Sequence, residues 1–275
     1  MIDFETILGN VRGRTPLVHN ITNYVTVNDC ANILLACGGS PIMSDDEGDV
    51  EDITSICGGL NINIGTLNKN TIPSMFLAGR RANALDHPVL LDPVGAGASK
   101  LRTETAAKLI DEVRFAVIRG NISEIKALAQ GSASTKGVDA DEADQVNAAN
   151  IDSVVAFARD FSRKTGAIIA ITGATDIITD GQRVCAVTNG NAMMSKITGT
   201  GCMLSAMTTA YVVANPEKPF EAVCTAVIAM GLCGEFAHDR LSALDGNSSY
   251  RNYIIDAVYN LTAEQLKEGA KYEMR

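Results

Sequence analysis

The chain has 275 residues, 46% of them hydrophobic, enough apolar material for a large core at a length that one α/β domain often fills. Its 32 acidic against 23 basic residues give a formal net charge of -9, which argues against a nucleic-acid partner because binding a phosphate backbone needs clustered Lys and Arg. The seven cysteines are odd in number, scattered and never in a C-x-x-C pair, so neither a zinc site nor a disulfide framework is expected.

The N-terminal segment "MIDFETILGNVRGR" lacks a basic region followed by an apolar one, and no uninterrupted run of about 18 apolar residues occurs, so a cytoplasmic protein without a membrane partner is expected. Along the chain, short apolar runs bounded by turn residues predict buried strands. They are Pro16 to His19, Pro41 to Met43, Leu60 to Ile64, Pro88 to Asp92, Phe115 to Arg119 and Ala167 to Thr172. Helical stretches lie between them. In "VTVNDCANILLACGG", Val27, Cys30, Ala31, Leu34 and Leu35 recur at helical spacing and Gly38-Gly39 supplies a stop. Strand and helix alternating in this way predict an α/β fold, a mostly parallel central sheet with helices on both faces. In "DIITDGQRVCAVT", two β-rich runs flank Asp180-Gly181, a hairpin signal that adds antiparallel strands at one side. From Gly199 onward the sequence reads as helix through to "TAEQLKEGAKYE".

Open α/β sheets bind ligands beyond the carboxyl ends of their strands, so the polar residues there are the candidates. "LLDPVGAGAS" ends in Asp92 and a Gly95-Ala96-Gly97 loop, "VIRGNISEI" carries Arg119, Asn121 and Glu124, and "AITGATD" carries Thr172 and Gly173. In "ITGTGCML", Gly199, Thr200 and Gly201 leave backbone N–H groups free at a helix start, which suits a phosphate or oxyanion. The Gly-Lys-Ser/Thr ending of a Walker A loop and the third glycine of a dinucleotide fingerprint are both absent. Two readings stand for each feature. The glycines bind an anion or permit close packing; Asp92 holds magnesium through water or caps a turn; Arg119 and Glu124 serve phosphate and metal-bound water, or Asn121 to Glu124 is a helix start.

His19 in "VHNITN" reads as a hydrogen-bonded structural residue, and His87-Pro88 as a turn entering a strand. The acidic run "SDDEGDVED" (Ser44 to Asp52) lacks EF-hand spacing and reads as the capped, solvated start of a helix.

The motifs "TPLVHNITNYVTVNDCANILLACGGSPIMS", "NINIGTL", "LLDPVGAGAS", "IRGNISEI", "AITG" and "TGTGC" stand in an order and spacing that resemble the hydroxyethylthiazole kinases, a ribokinase-like family, from about Thr15 to the C-terminal helices. The resemblance implies a ribokinase-like domain over residues 1–275 without a lid. It implies ATP-dependent phosphorylation of the hydroxyl of 4-methyl-5-(2-hydroxyethyl)thiazole for thiamine salvage, with Mg2+, and a homotrimer with active sites between subunits. Residue by residue, it places Arg119 and Thr172 on ATP, Asp92 and Glu124 near magnesium and the triphosphate, and Met43, Gly199 and Asn23 at the thiazole, with Asp45 and Asp46 close by. Cys202 takes the place where related sugar kinases carry an aspartate base. A thiol with an ordinary pKa near 8.5 is a weak base at neutral pH unless the helix N-terminus lowers it. Two rivals remain: another ribokinase-like kinase, such as a hydroxymethylpyrimidine kinase, and a non-catalytic binding protein on the same fold, which would be expected to lose Asp92, Glu124 or the glycine loop.

Overall fold

The computed structural model describes residues 2–130, 146 and 150–275. Six strands enter the sheet with helices as crossovers: α1 (Phe4–Arg14), β1 (Leu17–Ile21), α2 (Val27–Cys37), β2 (Ser40–Met43), α3 (Val50–Ile56), β3 (Gly59–Asn63), α4 (Thr71–Ala84), β4 (Val89–Asp92), α5 (Lys100–Glu112), β5 (Val117–Asn121), α6 (Ile122–Gln130), α7 (Ile151–Thr165) and β6 (Ile168–Thr172). Then come β7 (Asp176–Thr179), β8 (Val184–Val187), a 3-10 turn (Ala192–Lys196), α8 (Thr200–Ala214), α9 (Pro219–Asp239), α10 (Asn247–Asn260), α11 (Ala263–Gly269) and β9 (Tyr272–Met274).

Among the described residues the strands form one sheet in the order β2-β1-β3-β4-β5-β6-β7-β8-β9, parallel as far as β6 and antiparallel beyond it. The expected α/β architecture and the antiparallel addition at one side are both present, with strand limits shifted by one or two residues. Strand β1 has its successors β2 and β3 on opposite sides, which opens a crevice at the carboxyl ends of the parallel strands.

Alternation along the strands divides the core into two layers. Val18, Leu90, Val117 and Ile168 face α1, α2 and α8 to α11; Leu60, Ile62, Leu91, Ile118 and Ile169 face α3 to α7. Twelve of the fifteen residues of α8 are buried, so this helix, apolar nearly all round, is the central helix of the first layer. Helix α9 is long and apolar enough by composition to cross a membrane, but its apolar window is 83% buried inside the protein.

Two local readings change. The Asp180-Gly181 turn widens to the loop from Asp180 to Arg183, in which the Asp180 carboxylate accepts the N–H groups of Gln182 and Arg183 and Gly181 takes φ +87°. The last residues of the expected helical tail form β9 instead. Helix α11 starts on a Thr262/Gln265 capping box and ends at Gly269, and Tyr272 to Met274 then pair with the otherwise open edge of β8. Pairing with an edge strand, a long-range event, overrides the local preference there.

Candidate active site

The parallel strands deliver their last residues to one crevice: Asn63 from β3, Asp92 from β4, Asn121 from β5 and Thr172 from β6, with Arg119 pointing in from two residues earlier on β5. Helix α8 points its first turn at the same place. Gly199 caps it with φ +90°, a conformation that glycine adopts without strain, and no side chain caps the free N–H groups. The two glycines of this turn face different neighbours. A β-carbon on Gly199 would lie 2.7 Å from Thr26 Cγ2, at the start of α2. One on Gly201 would lie 2.5 Å from Arg119 Nη1. Close packing and free N–H groups are therefore properties of the same loop.

Arg119 donates from Nη2 to Thr172 Oγ1 at 2.6 Å and lies 3.6 Å from Asp92 Oδ1, while its Nε has no partner. A guanidinium set against the positive end of a helix is a repulsive arrangement that an anion between them would relieve. A cavity of about 580 Å³ opens at this point, lined by Arg119, Thr172, Asp176, Thr200, Gly201 and Asn189 among others.

Asp92 is fully buried. Its Oδ2 accepts from Asn63 Nδ2 and Ser205 Oγ, both at 2.8 Å, and its Oδ1 has no hydrogen-bond partner. Burial pushes its pKa up, opposed by Arg119 and by the two hydrogen bonds. Glu124 closes a capping box: its Oε2 accepts the Asn121 N–H at 2.8 Å and Asn121 Oδ1 accepts the Glu124 N–H at 2.8 Å. Its other oxygen accepts the Gly95 N–H at 2.9 Å. The helix-start reading of Asn121 to Glu124 is thus realised, and it also fixes a carboxylate near Asp92: burial and then the Asp92 charge raise the Glu124 pKa. Among the described residues no group of three or more His, Cys, Asp or Glu is arranged to hold a metal. The pair Asp92 and Glu124 nevertheless suits a hard, hydrated cation, since an unpartnered carboxylate oxygen and mutual repulsion are what such an ion offsets.

Cys202 lies on the side of α8 away from the cavity. Its Sγ accepts from Asn23 Nδ2 and Asn63 Nδ2, both at 3.2 Å. Burial, and then the Asp92 charge, push the thiol pKa up. Asn23 is itself held by Thr26, whose N–H and hydroxyl both donate to Asn23 Oδ1 at 3.1 Å. Met43 is set apart: it ends the edge strand β2, half-buried, against the core layer that contains Cys202. His19 is buried and bonded to Thr54 Oγ1 and the Ser44 carbonyl, each at 2.9 Å, a structural placement. The acidic run forms an exposed turn over Asp45 to Asp49, with Ser44 bonded to Asp49 and Gly48 to Asp46. It continues into the first residues of α3, where Val50 is buried and Asp49 makes no side-chain cap bond, so the expected cap is not formed.

The residues 8–264 match the model of the hydroxyethylthiazole kinase family. The chain belongs to that family. It is 67% identical over 266 residues to the hydroxyethylthiazole kinase of Clostridium acetobutylicum, covering 97% of each chain. It is 49% identical over 261 residues to that of Clostridium tetani, covering 95% of this chain and 94% of the relative. The solved structure of the hydroxyethylthiazole kinase protein from Pyrococcus horikoshii superposes with a TM-score of 0.87 at 33% identity, covering 99% of this chain and 98% of that one. Pyridoxal kinase from Staphylococcus aureus shares the fold, with a TM-score of 0.61 at 17% identity and 94% and 97% of the two chains covered. As a member of this family the chain is a phosphotransferase of the hydroxyethylthiazole kinase type with a ribokinase-like fold.

Three residues that the structure brings to this crevice went unmarked in the sequence: Asn63, Ser205 and Asp176. The first two had a signal. Asn61 and Asn63 alternate within a strand otherwise read as buried, and Ser205 follows Cys202 by one helical turn in a run of apolar residues. Asp176 had none beyond its nearness to Thr172. Its carboxylate accepts the Gly173 N–H at 2.9 Å at the cavity wall, and burial pushes its pKa up to about 7.

Proposed function

We propose that this chain transfers the γ-phosphoryl group of ATP to the hydroxyl of 4-methyl-5-(2-hydroxyethyl)thiazole. The observation that carries the reading is the Arg119 guanidinium set against Gly201 at the uncapped N-terminus of α8, with a buried carboxylate oxygen of Asp92 free beside it. The triphosphate occupies the cavity between Arg119 and the first turn of α8, with Thr172 orienting the guanidinium. The thiazole lies on the far side of that turn beside Gly199 and Asn23, with Met43 at the end of β2 forming the outer edge of the site, and its hydroxyl approaches the phosphorus above Cys202.

Phosphoryl transfer runs through a loose transition state, so positioning and stabilisation of charge carry most of the rate. The N–H groups of Thr200 and Gly201 and the Arg119 fork supply that stabilisation; one such donor is commonly worth about 10²–10³ in kcat. Asp92 and Glu124 are the residues that would hold magnesium, which would supply positive charge against the phosphates. Cys202 stays a neutral thiol at pH 7, receiving N–H donors from Asn23 and Asn63, and fits closely beneath the substrate hydroxyl.

The chain acts as one cytoplasmic domain whose described residues form no lid, a location supported by seven unpaired cysteines. The substrate side is covered by a neighbouring subunit of a homotrimer; the 76% exposed Tyr24 beside Asn23, with exposed Val25, supports such a contact. Fully active monomer in light scattering at assay concentration contradicts the trimer.

A coupled ADP-release assay over hydroxyethylthiazole, hydroxymethylpyrimidine and sugar alcohols tests the substrate. The highest kcat/KM is expected for the thiazole. A pyrimidine or sugar alcohol with the highest value overturns the substrate.

A further inference from the structure

We propose that Asn63 is a positioning residue that turns one oxygen of Asp92 toward the metal and phosphate side and ties that orientation to Cys202; this rests on the kinase reading above. The amide has its orientation fixed. Asn63 is 1% exposed, and its Oδ1 accepts the Gly65 N–H at 2.9 Å and Asn23 Nδ2 at 3.1 Å. The acceptor end being occupied by two donors, a flipped amide would set N–H against N–H, so Nδ2 must face the other way. There it finds Asp92 Oδ2 at 2.8 Å and Cys202 Sγ at 3.2 Å.

The consequence falls on Asp92. With Asn63 and Ser205 both on Oδ2, the carboxylate cannot rotate, and Oδ1 is the oxygen left without a hydrogen bond, 3.6 Å from Arg119 Nη1. Loss of the Asn63 donor frees half of the clamp and lets Asp92 swing toward the guanidinium, so the oxygen offered to a hydrated cation is no longer held. Asn23 joins the same assembly from the substrate side, donating to both Asn63 Oδ1 and Cys202 Sγ. One amide therefore links a strand of the phosphate side, β4, to a loop of the substrate side.

Strand β3 contains its own control. Asn61 is fully buried two residues earlier on the same face, and its Nδ2 donates to Asn20 Oδ1 at 3.0 Å, away from Asp92. A merely structural role for buried asparagine in β3 would make the two positions alike.

The test is calorimetric binding of a non-hydrolysable ATP analogue to the full chain, with Mg2+ and with EDTA. In the wild type, Mg2+ is expected to strengthen binding. Asn63→Ala is expected to lose about 10–100-fold of the Mg2+-dependent gain, the usual scale for a group that orients a metal ligand, with affinity in EDTA little changed. Asn61→Ala is expected to keep the gain while lowering the melting temperature. If Asn63→Ala does not fold, Asn63→Ser, which keeps a hydroxyl donor too short to span both partners, takes the same titration and the same expectation. A gain unchanged in the folded Asn63 variant, or lost equally in Asn61→Ala, overturns the proposal. A wild type with no Mg2+ gain overturns the metal part of the kinase reading and this proposal with it, whereas phosphorylation of another alcohol overturns only the substrate.

Discussion

The Arg119 guanidinium lies so close over Gly201 that a β-carbon there would sit 2.5 Å from Nη1 and 2.8 Å from Nη2. The helix start and the cation are therefore built around one another: glycine at 201 is what allows the fork to reach the first turn of α8. Because the obstructing atoms are the far end of a flexible side chain, Gly201→Ala should fold normally with the fork displaced by an ångström or so. A shift of that size costs about 10² in rate where a group stabilises transferring phosphate. The expected outcome is a drop of about that size in kcat/KM for ATP with an unchanged melting temperature. Wild-type kinetics in Gly201→Ala would show that the fork does not act on the transferring phosphate.

Asp176 predicts a pH dependence of nucleotide binding. Its carboxyl has been pushed up to about 7, chiefly by burial, at the wall of the cavity that contains Arg119. Above that pH the group carries a negative charge facing an anionic ligand; below it the charge is absent. Binding of the triphosphate therefore favours the protonated form, and affinity should weaken as pH rises through about 7. The nucleotide itself titrates nearby, so the informative quantity is the difference between wild type and Asp176→Asn. Calorimetric Kd values are expected to converge at acid pH and diverge above neutrality, with Asp176→Asn the tighter binder. Parallel curves would contradict the placement of this carboxyl against the phosphates.

Cys202 predicts the opposite of what a general base would. Its thiol pKa has been raised by burial and by Asp92, so no thiolate forms in the neutral range where an ordinary cysteine begins to ionise. Cys202→Ala should retain measurable turnover and a kcat profile of unchanged shape between about pH 6 and 8.5, since the ordinary thiol titration lies at the top of that range. A base would make the alanine variant lose about 10² or more and would erase a rising limb. Cys202→Asp offers a second view. A large gain in turnover would show that the position welcomes an ionised acceptor, contrary to the neutral role.

Much of the fold was legible because each parallel strand is short, apolar and ended by a turn, and Gly38, in the left-handed region at φ +98°, marks the end of α2 where the sequence placed it. What stayed hidden depended on distance in the chain. Strand β9 forms because the edge of β8 is open, a fact about residues such as Val187, far earlier in the chain than its partner Tyr272, that no local pattern in "KYEM" contains. The same distinction divides the site. Asp92, Arg119, Glu124, Thr172 and the glycine turn announce themselves as polar or flexible residues at strand and helix ends. Asn63 becomes visible only once β3 and β4 are paired in register, Asn63 beside Asp92, and Ser205 is brought over both by α8.

Passage of phosphate to the thiazole alcohol in the crevice formed by Arg119, Asp92 and the first turn of α8 is open to direct observation. Its most direct measurement is a single-turnover reaction of enzyme with γ-labelled ATP, Mg2+ and hydroxyethylthiazole, following label into the alcohol phosphate in the wild type and in Arg119→Ala. Label is expected on the thiazole hydroxyl in the wild type, with transfer slowed about 10²–10³-fold in the variant, the loss expected for a group that stabilises transferring phosphate. Label appearing only as inorganic phosphate, or transfer at the wild-type rate in Arg119→Ala, would contradict it.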